Sequence, residues 1–323
     1  MQHLDLQVIE RAMRWANAGE TIWLCTVLAT FGSSPREPGS MLVACADGSH
    51  AGSLSGGCVE EDFLARLRDG TFSQPVEIIR YGDNGTDGPQ VVLPCGGVLD
   101  VLIERLEPSD SNLLHLEVLH ATLLGRRPLI RRVLLEDGRA HFVEGDAQGP
   151  RVERDAQSVR IRIGPALRLI IAGISPVATV CADFARTLGF EVIVCDPRAE
   201  ARAGFDVPGV EVQNVMPSLF IASGACHAAT AVVALTHDPR IDDLAMIEAV
   251  RTPAFYIGVM GSKRTSEQRA ERLKRSGGLS DGEIARIRMP IGLNLGSKTP
   301  AEIAMAVMAD VLRVQRGRPR DAL

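Results

Sequence analysis

Residues 167–196 read LRLIIAGISPVATVCADFARTLGFEVIVCD, and this stretch decides the fold. A short apolar run over 167–172 predicts a strand, 176–188 predicts a helix, and 191–195 predicts a second strand that ends at Asp196. Strand, helix and strand in that order signal a parallel sheet whose crossover is helical. Gly173 at the end of the first strand, with Asp196 after the second, has the spacing of a dinucleotide-binding turn and its ribose-facing acid. The glycine pattern itself is broken, because Gly173-Ile174-Ser175-Pro176-Val177-Ala178 keeps only the first glycine and the small last residue. Ser175 retains a hydroxyl that can cap the helix, and Pro176 suits a first helical turn. NAD(P) or another nucleotide is therefore a weakened expectation at Gly173, Ser175 and Asp196.

The same alternation continues outward. Strands are predicted over 230–235 and 254–258, helices over 241–250 and 265–275, and a last helix opens at Thr299-Pro300-Ala301-Glu302, a capping box with proline at its first position. The fold class is α/β: an N-terminal α+β domain followed by a C-terminal Rossmann-like, doubly wound parallel sheet. Ligands of such sheets sit at the carboxyl ends of the strands. That rule gathers Thr236-His237-Asp238, Gly261-Ser262-Lys263-Arg264 and Asn294 to Lys298 at one edge. His237 is a candidate ligand or base there, weighed against a satisfied structural histidine. Gly261 and Ser262 are candidates for phosphate contact, weighed against a solvated charged face.

Before residue 165 the pattern differs. An amphipathic helix over 1–20 precedes a buried strand at 21–30, and Asp47-Gly48 marks a hairpin between strands at 41–45 and 51–53. A helix follows over 59–69 with Glu60, Glu61 and Asp62 in its first turn, where the helix dipole favours acids. Strands over 75–81 and 98–106 bracket a long glycine-rich loop, a helix covers 109–125, and extended segments cover 129–135, 139–143 and 159–163. The boundary falls at Gly164-Pro165, giving domains 1–164 and 165–323.

Glycine and cysteine recur together in two turns of the first domain. In Gly52-Ser53-Leu54-Ser55-Gly56-Gly57-Cys58-Val59-Glu60 the amides of Ser55, Gly56 and Gly57 precede a helix N-terminus, where orphan amides can hold an anion. Cys58 stands at that N-terminus, a setting that favours thiolate over thiol. Leu93-Pro94-Cys95-Gly96-Gly97 is the second turn. Thiolates suit soft metals and sulfur-bearing ligands, so Cys58 and Cys95 are candidate neighbours of a metal, with no direct protein metal site expected. Cys25, Cys181 and Cys195 lie in apolar segments and read as inert core. A serine-hydrolase reading fails: G-x-S-x-G is absent, and none of His3, His50, His115, His120 or His141 falls in a post-strand catalytic loop.

Composition narrows the class. The net charge of −5, from 35 basic and 40 acidic residues, argues against general nucleic-acid affinity. Seven cysteines without a CxxC pair fit reduced thiols in the cytoplasm better than disulfides or zinc. No apolar run reaches the roughly 18 residues of a membrane span, and the N-terminus lacks a signal-peptide core.

Taken in order, Gly32-Ser33-Ser34-Pro35-Arg36, Pro38 to Val43, Asp47-Gly48, the Gly52 to Glu60 turn, Leu93 to Gly97, Thr236-His237-Asp238, Tyr256 to Ser262, Gly292 to Gly296 and Thr299-Pro300 resemble the motifs of the XdhC/CoxI family. The resemblance implies an accessory chaperone, without turnover of its own, that binds molybdenum cofactor, supports its sulfuration and delivers it to an apo molybdenum hydroxylase. Its cargo would be molybdopterin or the cytosine dinucleotide form, and its partners a cysteine desulfurase and the hydroxylase large subunit. A cyclic homodimer is the expected assembly. On this reading Arg36 contacts an anion, Ser55, Gly56 and Gly57 contact phosphate or pterin, and Cys58 or Cys95, with Gly96 and Gly97, lies near the metal. Ser175 and Pro176 depart from the family's usual Gly-Ala-Gly-His turn. The rival reading is an NAD(P)-dependent oxidoreductase with His237 as acid or base.

Overall fold

The structure is a computed structural model that describes residues 4–31, 36–82, 97–125, 128–145 and 150–319. The chain divides between Pro165 and Ala166 into two units.

The first unit runs α1 (Leu4–Asn17), β1 (Ile22–Phe31), β2 (Met41–Cys45), β3 (His50–Gly52), α2 (Cys58–Arg68), β4 (Val76–Tyr81), β5 (Val98–Leu106), α3 (Asp110–Leu124), β6 (Leu129–Leu134), β7 (Ala140–Glu144), β8 (Val152–Arg154) and β9 (Ser158–Ile163). Two antiparallel sheets result, ordered β3-β2-β1-β5-β4 and β7-β6-β9-β8. Residues 22–28 of β1 are buried throughout because both faces of its sheet are covered. Alternate side chains explain how. Ile22, Leu24 and Leu28 pack with α1, α3 and the second sheet, while Trp23, Cys25 and Val27 pack against Val59, Phe63 and Leu67 of α2. Each such fully buried aliphatic side chain stabilises the fold by roughly 1.5–3 kcal/mol. A buried ion pair joins the two sheets: Arg131 of β6 donates both Nη atoms to Glu104 of β5, each at 2.7 Å. β8, which lies between the extended segments predicted at 139–143 and 159–163, is held by pairing to β9.

The second unit runs β10 (Arg168–Ala172), α4 (Pro176–Thr187), β11 (Glu191–Cys195), α5 (Ala199–Ala203), β12 (Glu211–Gln213), α6 (Pro217–Phe220), a π turn (Ile221–Ala225), β13 (Thr230–Ala234), α7 (Pro239–Ala249), β14 (Tyr256–Val259), α8 (Lys263–Arg275), α9 (Asp281–Ala285), β15 (Ile287–Arg288) and α10 (Pro300–Gln315). All six strands are parallel in the order β12-β11-β10-β13-β14-β15. This is the doubly wound, Rossmann-type order, with its switch point between β10 and β13. Leu169 and Ile171 face a core shared with α4 and α10, while Ile170 and Ala172 face α7 and the π turn. The fold class expected from 167–196 is borne out: an antiparallel α+β half precedes a doubly wound parallel half. No helix among the described residues is long and apolar enough to cross a membrane.

Candidate functional site

In the first unit the Ser53–Gly57 turn closes around an anion that the chain itself supplies. Glu60 Oε1 accepts from Ser53 Oγ (2.7 Å) and from the amides of Leu54 (2.8 Å), Ser55 (3.0 Å) and Gly56 (3.0 Å). Its Oε2 accepts from Ser55 Oγ at 2.7 Å and the Gly57 amide at 3.0 Å. Burial pushes the Glu60 carboxyl up, but these hydrogen bonds outweigh it and hold the group well below the usual carboxylate range. The amides expected to meet phosphate at Ser55, Gly56 and Gly57 are thus donated to Glu60. Gly57 caps α2, and Cys58 is its first residue, half-buried against the Trp23 and Phe63 core.

Arg36 is half-buried between β1 and β2, and Gly97 is buried just before β5. Cys95 and Gly96, with Gly32 to Pro35 of the first motif, lie outside the described residues. Cys25, Cys181 and Cys195 are buried, and burial pushes each thiol up, to about 12 for Cys181 and Cys195. They match the inert reading.

In the second unit the candidate residues meet at the strand ends. Gly173 has φ +81°, and a Cβ there would lie 2.2 Å from Thr236 Cγ2, so only glycine lets the two loops at the switch point close on each other. Ser175 caps α4 by accepting from the Ala178 amide (3.1 Å) and donates its hydroxyl to the Leu235 carbonyl (2.7 Å). The missing second glycine is therefore a strut between the loops after β10 and β13. Asp196, fully buried, accepts from the Ile174 amide at 2.7 Å and from Arg198 through its amide, Nε and Nη2. Burial raises its carboxyl, and Arg198 with the Ile174 amide more than reverses that. The acid in the ribose position is engaged by its own chain.

His237 is exposed and sits at φ +66°, the one non-glycine with positive φ among the described residues. Its amide donates to Asp242 Oδ2 at 2.9 Å, and Thr236 Oγ1 donates to Asp242 Oδ1 at 2.6 Å. Asp242 is fully buried; burial pushes its carboxyl up, opposed by Thr236 and by the charge of Arg269. Arg269, also buried, places Nη2 3.5 Å from Asp242, Nε 2.7 Å from Asp243 and Nη1 2.9 Å from the Met260 carbonyl. It thereby ties the His237 turn to the Gly261-Ser262 turn. Ser262 caps α8 by accepting from the Thr265 amide at 3.2 Å, and Lys263 and Arg264 are exposed behind it. Three adjacent strands, β10, β13 and β14, so deliver the N-termini of α4, α7 and α8 to one edge.

Sequence reasoning passed over Glu60 as a ligand, Asp242, Arg198 and Arg269. A signal for Glu60 existed in its place three residues after Gly57, the acidic position of a capping box. Arg269 shares a helical face with Ser266 and Leu273, the buried residues of α8.

A two-unit α/β protein whose doubly wound sheet gathers three helix N-termini at its strand ends is the class that these features define. Family profiles resolve it further: one described as "XdhC Rossmann domain" matches residues 169–311, and one described as "XdhC and CoxI family" matches residues 15–82. Profiles of the XdhC and CoxI family thus match stretches in both halves of the chain. It is 27% identical over 318 residues to an Escherichia coli protein named molybdenum cofactor insertion chaperone PaoD, covering 98% of this chain and 90% of that one. It is 25% identical over 318 residues to a Bacillus subtilis protein named as a probable xanthine dehydrogenase subunit, covering 91% and 93%. In fold it is similar to a Bacillus halodurans crystal structure described as a xanthine dehydrogenase, with a TM-score of 0.74 at 22% identity, covering 100% of this chain and 98% of that one.

Proposed function

We propose that this chain is a maturation factor for a molybdenum hydroxylase of the xanthine or aldehyde dehydrogenase type. It holds molybdenum cofactor, in the molybdopterin or the cytosine dinucleotide form, supports its sulfuration with sulfur from a cysteine desulfurase, and hands it to the apoenzyme in the cytoplasm. The observation that carries this reading is the similarity over 98% of the chain to a protein named as a molybdenum cofactor insertion chaperone, with family matches in both halves. The geometry supports the chemistry. Helix N-termini and the exposed Lys263, Arg264 and His237 offer donors to phosphate, and Cys58 at the head of α2 offers a soft ligand beside a metal. Engagement of Asp196 by Arg198 and Ile174 counts against a dinucleotide oxidoreductase. A carrier must release its cargo, so binding near micromolar, about −8 kcal/mol, is expected, with the carrier acting as a homodimer.

The test is co-expression of a xanthine dehydrogenase-type enzyme with and without this chain, followed by molybdenum analysis and activity per enzyme. Enzyme made without the chain should be inactive and deficient in cofactor or its sulfido ligand. Equal activity in both preparations rejects the reading.

A further inference from the structure

On the buried face of α8, formed by Ser266, Arg269 and Leu273, one hydroxyl is out of place. Ser266 is 5% exposed, and its Oγ has no hydrogen-bond partner among the described residues. A buried hydroxyl without a partner is costly and calls for an explanation. Its backbone amide already donates to the Ser262 carbonyl at 2.9 Å, as the helix requires. The hydroxyl is directed at the Gly261 turn: a Cβ on Gly261 would lie 3.5 Å from Ser266 Oγ, 2.8 Å from Thr265 Oγ1 and 3.3 Å from Arg269 Nη1. Around this turn, at the start of a 13-residue helix, Thr265 Oγ1 donates to the Ser262 carbonyl (3.0 Å) and Arg269 Nη1 to the Met260 carbonyl (2.9 Å), which leaves Ser266 Oγ as the one of the three polar atoms without a partner among the described residues.

The charge around that turn favours an anion. The first turn of α8 carries no acid and exposes Lys263 and Arg264. Buried Asp242 and Asp243 are balanced by Arg269 and Arg272, which bond to them. By contrast, α10 fills its own N-terminus with Glu302, whose carboxylate accepts the Lys298 and Thr299 amides. We propose that the Gly261–Ser266 turn binds a phosphate monoester dianion, one oxygen of which accepts from Ser266 Oγ while the others face the α8 N-terminus with Lys263 and Arg264. The proposal deepens the carrier reading and rests on it for the identity of the ligand. The monoester can belong to the pterin or to a nucleotide.

Calorimetric titration of the full chain with inorganic phosphate tests the site directly. Wild type should bind in the ~mM range, and Ser266→Ala should weaken binding about tenfold, the effect of one hydrogen bond to a charged group. Without phosphate, Ser266→Ala should melt no lower than wild type, because its hydroxyl has no protein partner to lose. Gly261→Ala, which places a methyl in the same turn, should also lose phosphate. No binding to wild type, a Ser266→Ala affinity within about twofold of wild type, or a lowered melting point without phosphate, as for a hydroxyl satisfied by an internal water, overturns the proposal. Cytidine monophosphate binding more tightly than inorganic phosphate supports the site and assigns it to a nucleotide. Tighter binding of molybdenum cofactor alone supports it and assigns it to the pterin phosphate. Ser266-dependent phosphate binding with a hydroxylase that matures without this chain would leave the site standing and remove the carrier role; the reverse pair of results would remove the site alone.

Discussion

Glu60 accepts the backbone amide of Gly57, three residues upstream, at 3.0 Å, and with the same carboxylate takes five further donors from the turn Ser53–Gly56. One side chain thus fixes the turn that sets Cys58 at the head of α2. Glu60→Gln is nearly the same size, yet its amide would face Ser55 Oγ and the Gly57 N–H, or else the Oε1 donors, with a donor of its own. Both Glu60→Gln and Glu60→Ala should lose about 3 kcal/mol in urea unfolding at pH 7, since buried donors are left unsatisfied. The carboxyl is held below its ordinary value, so its contribution is present above the unfolded pKa of about 4.3 and fades only as pH falls through the lower folded value. The gap between wild type and Glu60→Gln should accordingly persist at pH 5. A loss under about 1 kcal/mol at pH 7 would show that the turn holds itself.

A second pH effect is expected nearer neutrality. Arg131 donates Nε to His115 Nε2 at 2.6 Å, so that nitrogen must stay unprotonated, and the ring stacks on Phe142. Burial first, then the Arg131 charge, lowers the His115 pKa to about 3. A folded value below the unfolded one gives stability that is complete above about pH 6.5 and is lost as pH falls toward the folded value, at up to about 1.4 kcal/mol per pH unit. His115→Gln keeps an acceptor for Arg131 without the titration. Between pH 6.5 and 5.0 wild type should lose stability faster than this variant in urea melts. Parallel pH profiles would contradict the assignment.

What was legible in the sequence was local. The run 22–28 and the strand-helix-strand of 167–196 declare themselves because apolar pattern and turn residues agree within a few positions. The doubly wound half and the strand-end placement of His237, Gly261 and Ser262 followed from that pattern and from a general rule of such sheets. Partnership was not legible. Glu60 reads as a first-turn acid complementing a helix dipole, and only the path of Ser53 to Gly57 turns it into an internal ligand that takes the amides assigned to phosphate. The charged stretch 265–275 reads as solvated, although Arg269 is buried beside Asp243 from another helix. Asp196 has the spacing of a ribose acid, but Arg198, two residues on, occupies it.

His237 holds a left-handed backbone while its side chain is exposed, a combination that costs about 1–2 kcal/mol for a residue with a Cβ. Nothing in the packing of an exposed imidazole returns that cost. His237→Gly should therefore be as stable as wild type or more so, by up to about 1 kcal/mol, while a co-expressed molybdenum hydroxylase should lose activity. His237→Ala keeps the backbone cost and should not gain stability. If His237→Gly unfolds more easily by over about 1 kcal/mol, the imidazole is a structural element.

The two turns at the strand ends are joined through one carboxylate. Asp242 accepts from Thr236 and the His237 amide on one side and lies 3.5 Å from Arg269 Nη2 on the other, and Arg269 in turn donates to the Met260 carbonyl. Replacing Asp242 by Asn sets an amide donor against the His237 N–H and the guanidinium, and leaves Arg269 with less countercharge in a buried place. A loss of about 3 kcal/mol is expected for Asp242→Asn, and of similar size for Arg269→Met, because each strands a buried partner. Since both variants break the same connection, the double variant should lose less than the sum, by about 1–3 kcal/mol in a urea-unfolding cycle. Additive losses would mean that the His237 and Gly261 turns are held independently, and that a ligand at one cannot be sensed at the other through this pair.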